Sequence, residues 1–573
     1  MELIHFHRQP AWTLPVAEAA KALHAESLPE PYPGCVLFVS AGEPEARATV
    51  AIGRGDTFAG AWRQALGQLE LDAGKPPRWL RVDVVNHVEA LTVAVLKAKC
   101  ARTKRSYFRF GLSFDPQFER ALLEQEISGN AILYHSDTPV AGLNDGNLRR
   151  YGKRRFGEEL AFPQEDDAPV WRFQTAAFFM EEGRIYPVCA RGRESGYREL
   201  NDWPGEHLDA AIASASGYLA RQVHDSGRYD YGWFPCFDRP IPRYNALRHA
   251  SATYALLEGW EHTRNPAEFE AITRALDYLT GTLIHSRPLP DGKMADFLVD
   301  EGDEVKLGGN ALSILALAKY TALTDDRRYL PQMLRLARTL RFMQDPQSGA
   351  FVHVLNYPDL SLKAVERIIY YDGEAAFALM RLYALTGQPW LLETVQLAFD
   401  SFIAREHWRA HDHWLSYCVN ELVAVCPEAR YFRFGLDNVS GHLDFVLNRV
   451  TTYPTLLELM MAAQQMLEKL DASEHRYLLD DFDRETFDRA LAHRARYLMN
   501  GFFWPELAMF FANPARIVGS FFIRHHAWRV RIDDVEHYLS GLTAWHRLLH
   551  KRQPAAQDAL PAGGAQRQGP AQA

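Results

Sequence analysis

Residues Arg228–Trp260 read RYDYGWFPCFDRPIPRYNALRHASATYALLEGW. The first half is a loop dense in aromatic side chains, Asp and Pro. The second half starts a helix with Tyr244, Asn245, Arg248 and His249 and then turns apolar. Polar groups gathered where a buried helix begins suit the floor of a pocket. The same residues also serve as a capped helix start above a core histidine, so both readings stand at this point.

The apolar body of this helix recurs along the chain. Tyr254–Glu258 (YALLE), Ile314–Ala318 (ILALA) and Phe377–Leu382 (FALMRL) occupy equivalent places. Each is followed by a polar turn (HTRNP at His262–Pro266, LTDDR at Leu323–Arg327, LTGQP at Leu385–Pro389) and then by another amphipathic helix. The period of about 60 residues exceeds that of the common short helical repeats. It fits helical hairpins joined by long loops. Helices are predicted at about 207–224, 244–262, 266–285, 307–323, 327–344, 371–386, 390–406, 413–426, 447–469, 482–499 and 531–549. Some six hairpins fit, which predicts a mainly α fold, an (α/α)6-like closed toroid with one inner and one outer helix per hairpin. Ala311–Ala318 is apolar nearly all round, and such a helix must be buried.

A smaller α/β domain is expected ahead of the toroid, over residues 1–165. Gly34–Ser40, Ala48–Ile52 and Trp79–Val85 read as strands, the last by its alternation of Leu80, Val82 and Val84 with Arg81 and Asp83. Phe108–Leu112 is a further candidate strand. Thr57–Leu71 reads as a helix, and so does Pro116–Ile127 with Asp115 as its cap. The pattern loosely resembles small α/β domains of the AMMECR1 type. Residues 166–204 are expected to be a linker with a strand-like segment, 205–552 the toroid, and the Pro/Ala/Gln/Gly-rich stretch 553–573 a disordered tail.

Composition narrows the function. Of 573 residues, 47% are hydrophobic and 24% charged, with a net charge of -9. That is ordinary for a globular protein and offers no clustered basic face, so nucleic acid is not an expected partner. Lys97–Arg105 reads as a solvated surface segment. MELIHFHRQPAW lacks an apolar signal core and no run of about 18 apolar residues occurs, so a cytoplasmic protein without membrane insertion is expected. The six cysteines are scattered and form no CxxC. His411-Asp412-His413 with Cys418, and His525-His526, lack the spacing of a ligand set, so no metal and no cofactor are expected. P-loop, GxGxxG and GxSxG patterns do not occur. The sequence sets no oligomeric state.

With its hairpin period and polar helix starts, residues 200–550 resemble the (α/α)6-toroid carbohydrate-active enzymes. These include D-glucuronyl C5-epimerases (C-terminal domain), unsaturated glucuronyl hydrolases, uronate lyases and N-acylglucosamine 2-epimerase-like proteins. The resemblance implies a substrate cleft built by the loops that lead into the inner helices.

Four inner-helix starts carry candidate site residues. At the first, Asn245, Arg248 and His249 follow a loop with Tyr229, Asp230, Tyr231 and Trp233. Arg and Asn can bind a sugar carboxylate, and His or Tyr can move a proton. The second is Lys306-Leu-Gly-Gly-Asn310. The third is Tyr370-Tyr371-Asp372-Gly-Glu374, where a carboxyl beside aromatic rings can rise in pKa and act as an acid. The fourth, Arg529 to His537, brings Arg531, Asp533 and His537 round to the first helix if the ring closes. Each also has a structural reading as a helix cap, a tight turn or a salt-bridge network.

The expected function is modification or cleavage of an anionic, uronate-type polysaccharide or oligosaccharide by epimerisation, elimination or hydrolysis. His249, Tyr229 and Glu374 are the expected catalytic residues. Asp230, Tyr231, Trp233, Asn245, Arg248, Asn310, Tyr371, Asp372, Arg531, Asp533 and His537 are the expected substrate-binding residues. The alternative is a non-catalytic binding or assembly factor in extracellular or capsular polymer biosynthesis. A lanthionine-cyclase-like or prenyltransferase-like toroid would need a zinc site with Cys and His ligands, which the scattered cysteines do not favour.

Overall fold

The computed structural model describes residues 10–72 and 74–552. The stretch 553–573, expected to be a disordered tail, lies outside them.

Twelve helices build the larger part. Outer helices are α1 (Gly205–Arg221), α3 (Pro266–Tyr278), α5 (Leu330–Phe342), α7 (Pro389–Ala404), α9 (Ala429–Ser440) and α11 (Arg484–Tyr497). Inner helices are α2 (Ala246–Thr263), α4 (Leu307–Thr324), α6 (Tyr370–Thr386), α8 (His413–Val425), α10 (Thr455–Asp471) and α12 (Ile532–Arg552). Each inner helix packs on the next, and α12 returns to α2, so the ring is closed. The inner helices carry apolar residues on almost every face because each is enclosed by two inner neighbours and an outer layer. In α4, Leu307–Ala318 is buried without a break. The toroid expected from the hairpin period is therefore present.

Two boundaries differ from the sequence expectation within the ring. Helix α9 lies where none was expected. Its Tyr431, Phe432, Phe434, Leu436 and Val439 are buried, and Gly435 lets Met466 and Val419 of the inner helices come close. The helix expected at 447–469 is two helices, Leu443–Asn448 and α10: the first ends where Arg449 turns extended, and Pro454 stands at the start of the second.

Short sheets roof one end of the ring. Strands β8 (Gly232–Phe234), β9 (Arg239–Pro240) and β15 (Val530–Arg531) form one. Strands β10 (Ile284–Pro288), β11 (Met294–Asp300), β12 (Glu304–Lys306), β13 (Val354–Asn356) and β14 (Leu362–Ala364) form another. Both lie in the loops that lead into inner helices, so they fix where those helices begin.

The N-terminal part is a seven-stranded antiparallel sheet: β1 (Cys35–Glu43), β2 (Ala46–Gly55), β3 (Trp79–Thr92), β4 (Gly111–Ser113), β5 (Ala121–Leu122), β6 (Pro169–Glu181) and β7 (Arg184–Val188). The order is β2-β1-β3-β6-β4-β5, with β7 beside the second half of β6. Alternate residues face opposite sides. Leu37 and Val39 pack with Phe58 and Trp62 of helix Phe58–Leu66. Val36 and Phe38 belong to a second core with Phe173, Met509 and Phe510, the last two from the C-terminal half of the ring.

Of the linker with a strand-like segment expected at 166–204, the strand-like part is present as β6 and β7, and Pro169–Glu181 is more than a connection. β6 pairs with β3 along almost its whole length, Trp79↔Glu181 to Thr92↔Pro169, so this stretch is a central strand. The expected helix Pro116–Ile127 is also absent. Asp115 accepts hydrogen bonds from the Glu119 and Arg120 amides at 2.9 and 2.7 Å, closing a turn that delivers β5 and a short helix, Glu124–Gly129.

Candidate active site

All six inner helices begin at the roofed end, and the roof decides which side chains meet there. β15 pairs with β8, placing Arg531 opposite Gly232. This stitches the start of α12 to the loop leading into α2. Asn245 caps α2 by accepting from the Arg248 amide at 3.1 Å. Asp412 caps α8 by accepting from the Trp414 and Leu415 amides at 2.9 and 3.3 Å.

Arg248 of α2 reaches Asp533 of α12 at 2.7 Å. Arg531 contacts both Asp533 and Asp534 at 2.7 Å. His537, one turn on, meets Glu458 of α10 through Nδ1 at 2.8 Å and faces Asp533 through Nε2 at 3.7 Å. Glu458 in turn lies 3.9 Å from Nε2 of His413 on α8, whose Nδ1 is 3.3 Å from Asp412. The His413 and His537 rings are 5.4 Å apart. A continuous chain of ionisable groups thus runs Asp412–His413–Glu458–His537–Asp533–Arg248.

Glu374 of α6 completes the cluster. It is buried and its Oε2 has no hydrogen-bond partner. Burial raises its pKa well above the usual carboxylate range; Arg248 opposes the rise, and Asp412, Glu536 and Asp533 add to it. Those partners belong to α2, α8 and α12, so Glu374 points at the ring axis. A side chain at Gly308 of α4 would collide with Glu374 and Tyr371, which explains a glycine inside that buried helix. Burial also pushes Glu458 up to about 8 and Glu536 up to about 7. Glu536 accepts from Ser251. Asp533 is held low: burial would raise it, but Arg248, Arg531 and His537 outweigh that. The axis therefore holds protonated and ionised carboxyls side by side.

The aromatic residues at this end include Tyr231, Tyr370 and Tyr453. The Tyr370 and Tyr453 hydroxyls are 3.0 Å apart, and the Tyr370 ring meets His413 edge-on at 5.3 Å. The side chains of Arg248 and Arg531 retain 23% and 24% exposure, so solvent reaches the cluster from this side. His413, Glu458 and His537 place ligand atoms within 4.8 Å of one another, as do Asp533, Glu536 and His537, so either triplet is able to hold a divalent ion.

Of the sequence-predicted residues, Tyr231, Arg248, Tyr371, Glu374, Arg531, Asp533 and His537 come together here. Asp372 lies nearby but is turned to His353 at 3.3 Å and His407 at 4.0 Å. The others face elsewhere. His249 is fully buried between the two helix layers, bonded to the Tyr244 hydroxyl at 2.7 Å and the Ala275 carbonyl of α3 at 2.8 Å. Burial lowers its pKa to about 4. It is a satisfied core histidine, and the catalytic role expected for it is corrected on that ground. Tyr229 is likewise enclosed, its hydroxyl 3.2 Å from Thr253. Asp230 pairs with His224 at the surface. Trp233 donates to Gln222 and has Arg516 stacked on its ring at 3.9 Å. Asn245 is spent on its cap. Asn310 accepts from Leu298 N and donates to the Lys306 carbonyl.

Three functional candidates went unread: His413 as an axial residue, Glu458 and Glu536. The signal was a lone acid in an otherwise apolar run, Glu458 in TLLELMMA. Such a residue faces the axis or carries a buried cost.

No family model matches the chain, and no curated protein matches it in sequence. Solved structures do match. The chain is similar to a cellobiose 2-epimerase from Bacillus thermoamylovorans B4167 at 12% identity and a TM-score of 0.46, over 60% of this chain and 99% of that one. It is similar to a D-mannose isomerase at 12% identity and a TM-score of 0.45, over 61% and 99%. It is also similar to an alpha-1,6-mannanase of Salegentibacter sp. HEL1_6 at 11% identity and a TM-score of 0.32, over 60% and 99%. Among the described residues, no helix is long and apolar enough to cross a membrane.

Proposed function

We propose that the chain is a carbohydrate-active enzyme working by general acid–base catalysis at the roofed end of the ring, with sugar epimerisation or isomerisation as its reaction. The observation that carries this reading is the meeting of Arg248, Glu374, His413, Glu458, Asp533 and His537 from five different inner helices. Two imidazoles on either side of one carboxyl suit removal of a proton from carbon and its return. His413 Nε2 has no hydrogen-bond partner and is free to take a substrate proton. Arg248, anchored by Asp533, is positioned to stabilise a developing oxyanion. The tyrosines offer ring faces to the apolar C–H side of a sugar.

The anionic, uronate-type substrate is the weaker part of the earlier expectation. Both arginines already face Asp533 and Asp534, so a uronate carboxylate would compete with built-in partners. Neutral sugars suit the site better. Hydrolysis is a second reading, favoured by one observation: the pKa values of Glu374 and Asp533 shift in opposite directions, as an acid and a base need.

The test is incubation with reducing mono- and disaccharides and with uronate oligosaccharides in deuterated water. Epimerisation leaves carbon-bound deuterium in the product; hydrolysis creates new reducing ends without it. His413→Gln and His537→Gln are each expected to lower turnover about 100-fold or more while sugar binding persists. If wild-type protein binds sugars without turnover and these variants lose affinity alone, the site is a binding cleft and the proposal fails.

A further inference from the structure

At the opposite end of the ring, far along α12 from the candidate active site, three ligand-type side chains from three helices converge, with a fourth, His550, beside one of them. Asp209 is on α1, His262 near the end of α2, and His546 and His550 one turn apart on α12. His546 Nε2 lies 2.9 Å from Asp209 Oδ1 and 2.8 Å from His550 Nε2. His262 Nε2 lies 3.5 Å from the same Asp209 oxygen. The His262 and His546 ring centroids are 4.5 Å apart. We propose that Asp209, His262 and His546 form a three-ligand metal site for a zinc-like divalent ion, its fourth position open to water, and that the ion staples the seam where the first hairpin meets the last inner helix.

Geometry supports this first. Metal–nitrogen and metal–oxygen bonds of about 2.0–2.1 Å in a tetrahedron put ligand atoms about 3.3 Å apart. The two separations from the shared Asp209 oxygen, 2.9 and 3.5 Å, bracket that edge, and the ligand atoms of Asp209, His262 and His546 all lie within 4.8 Å of one another.

Proton bookkeeping supports it next. His546 Nε2 carries at most one hydrogen, yet it sits at hydrogen-bond distance from both a carboxylate oxygen and a second imidazole nitrogen. One proton serves only one of these contacts well. A cation between Asp209, His262 and His546 would serve all three side chains at once, with the histidines neutral and Asp209 ionised. Neighbouring charges are already occupied: Arg547 faces Glu258 and Glu261 at 3.6 and 3.4 Å, and Lys319 faces Glu261 at 2.6 Å. An open groove of about 560 Å³ lined by His262, His546 and His550 gives an ion access from solvent. The sequence did not point here because the ligands lie on helices far apart in the chain.

The role would be structural. α12 packs against both α1 and α2, and a ligand that binds only the closed ring stabilises it. The experiment uses full-length, tag-free protein stripped with a chelator. Zinc is titrated by calorimetry, cobalt by its visible ligand-field absorption, and Tm is followed with and without zinc. The expected result is one ion per chain, a tetrahedral cobalt spectrum and a zinc-dependent rise in Tm. His262→Ala and His546→Ala should weaken binding about 100-fold or more and abolish the rise, beyond what outer-shell changes cause. Absence of stoichiometric binding overturns the proposal. So does binding that survives in both variants but is lost in His413→Ala, which would put the ion at the ring axis.

Discussion

The groups at the ring axis are set by burial before they are set by charge. Glu458 illustrates the consequence. An exposed glutamate loses its proton near pH 4.5, whereas burial holds this one to about 8. Below 4.5 both folded and unfolded chains carry the proton, and Glu458 does not favour either. Above 4.5 the unfolded chain releases it and the folded chain keeps it. The preference for the folded state therefore falls steadily until pH passes about 8, then levels off. Glu458→Gln removes that titration. The expected outcome is a flatter dependence of the urea midpoint on pH between 4.5 and 8 than in the wild type. Parallel curves would show that Glu458 ionises normally. His249 follows the opposite rule: its pKa is lowered to about 4, so its contribution is complete above 6.5 and is lost as pH falls through 4.

At the scale of elements, the toroid was legible because its inner helices are apolar all round at a fixed spacing, and neither feature depends on distant parts of the chain. The strand β6 was legible in outline and misplaced in context. Its alternation is visible in VWRFQTAAFF, but its partner β3 lies some way back in the chain, and pairing is a long-range fact. For the site, Arg248, Arg531, Asp533 and Glu374 stood out at helix starts. His249 misled because a polar residue at a helix start can face either layer, and helix rotation is not written in local spacing. Glu458 sits in the first turn of α10, which begins at Thr455, and it was hidden because the helix was expected to begin at 447. Gly308 is the element that makes α4 and α6 compatible, since a Cβ there would meet Glu374 and Tyr371. Gly308→Ala is expected to cost about 1–3 kcal/mol by overpacking, despite the better helix propensity of Ala. It should also lower turnover by moving Glu374. Unchanged activity and an increase in stability would mean that the helices shift to make room at no cost.

The whole molecule is held together by a segment of the ring that crosses to the sheet. Glu506 is fully buried and accepts from the Arg198 backbone amide at 2.7 Å and from its guanidinium at 2.8–3.3 Å. Arg198 also reaches Glu181 at the end of β6. The backbone carbonyl of Glu506 accepts from Arg81 at 3.0 Å, and Arg81 is itself paired with Asp83 within the sheet. A few residues on, Met509 and Phe510 enter the sheet core, and Ala48 N donates to the Met509 carbonyl. Sheet and ring thus share buried charge and apolar surface, which predicts one cooperative unfolding transition for both. Glu506→Ala leaves Arg198 buried without its main counter-charge. Breaking a buried pair from one side typically costs about 3–5 kcal/mol. Because the loss sits at the junction, it should also uncouple the two parts. In the wild type, far-ultraviolet circular dichroism, dominated by the ring helices, and fluorescence from a single reporter placed in the sheet should trace the same transition. In Glu506→Ala the sheet signal should move to lower denaturant while the helical signal moves less. Two separate transitions already in the wild type would show that this junction does not couple the parts, and coincident transitions in the variant would assign the coupling to the apolar contacts of Met509 and Phe510 instead.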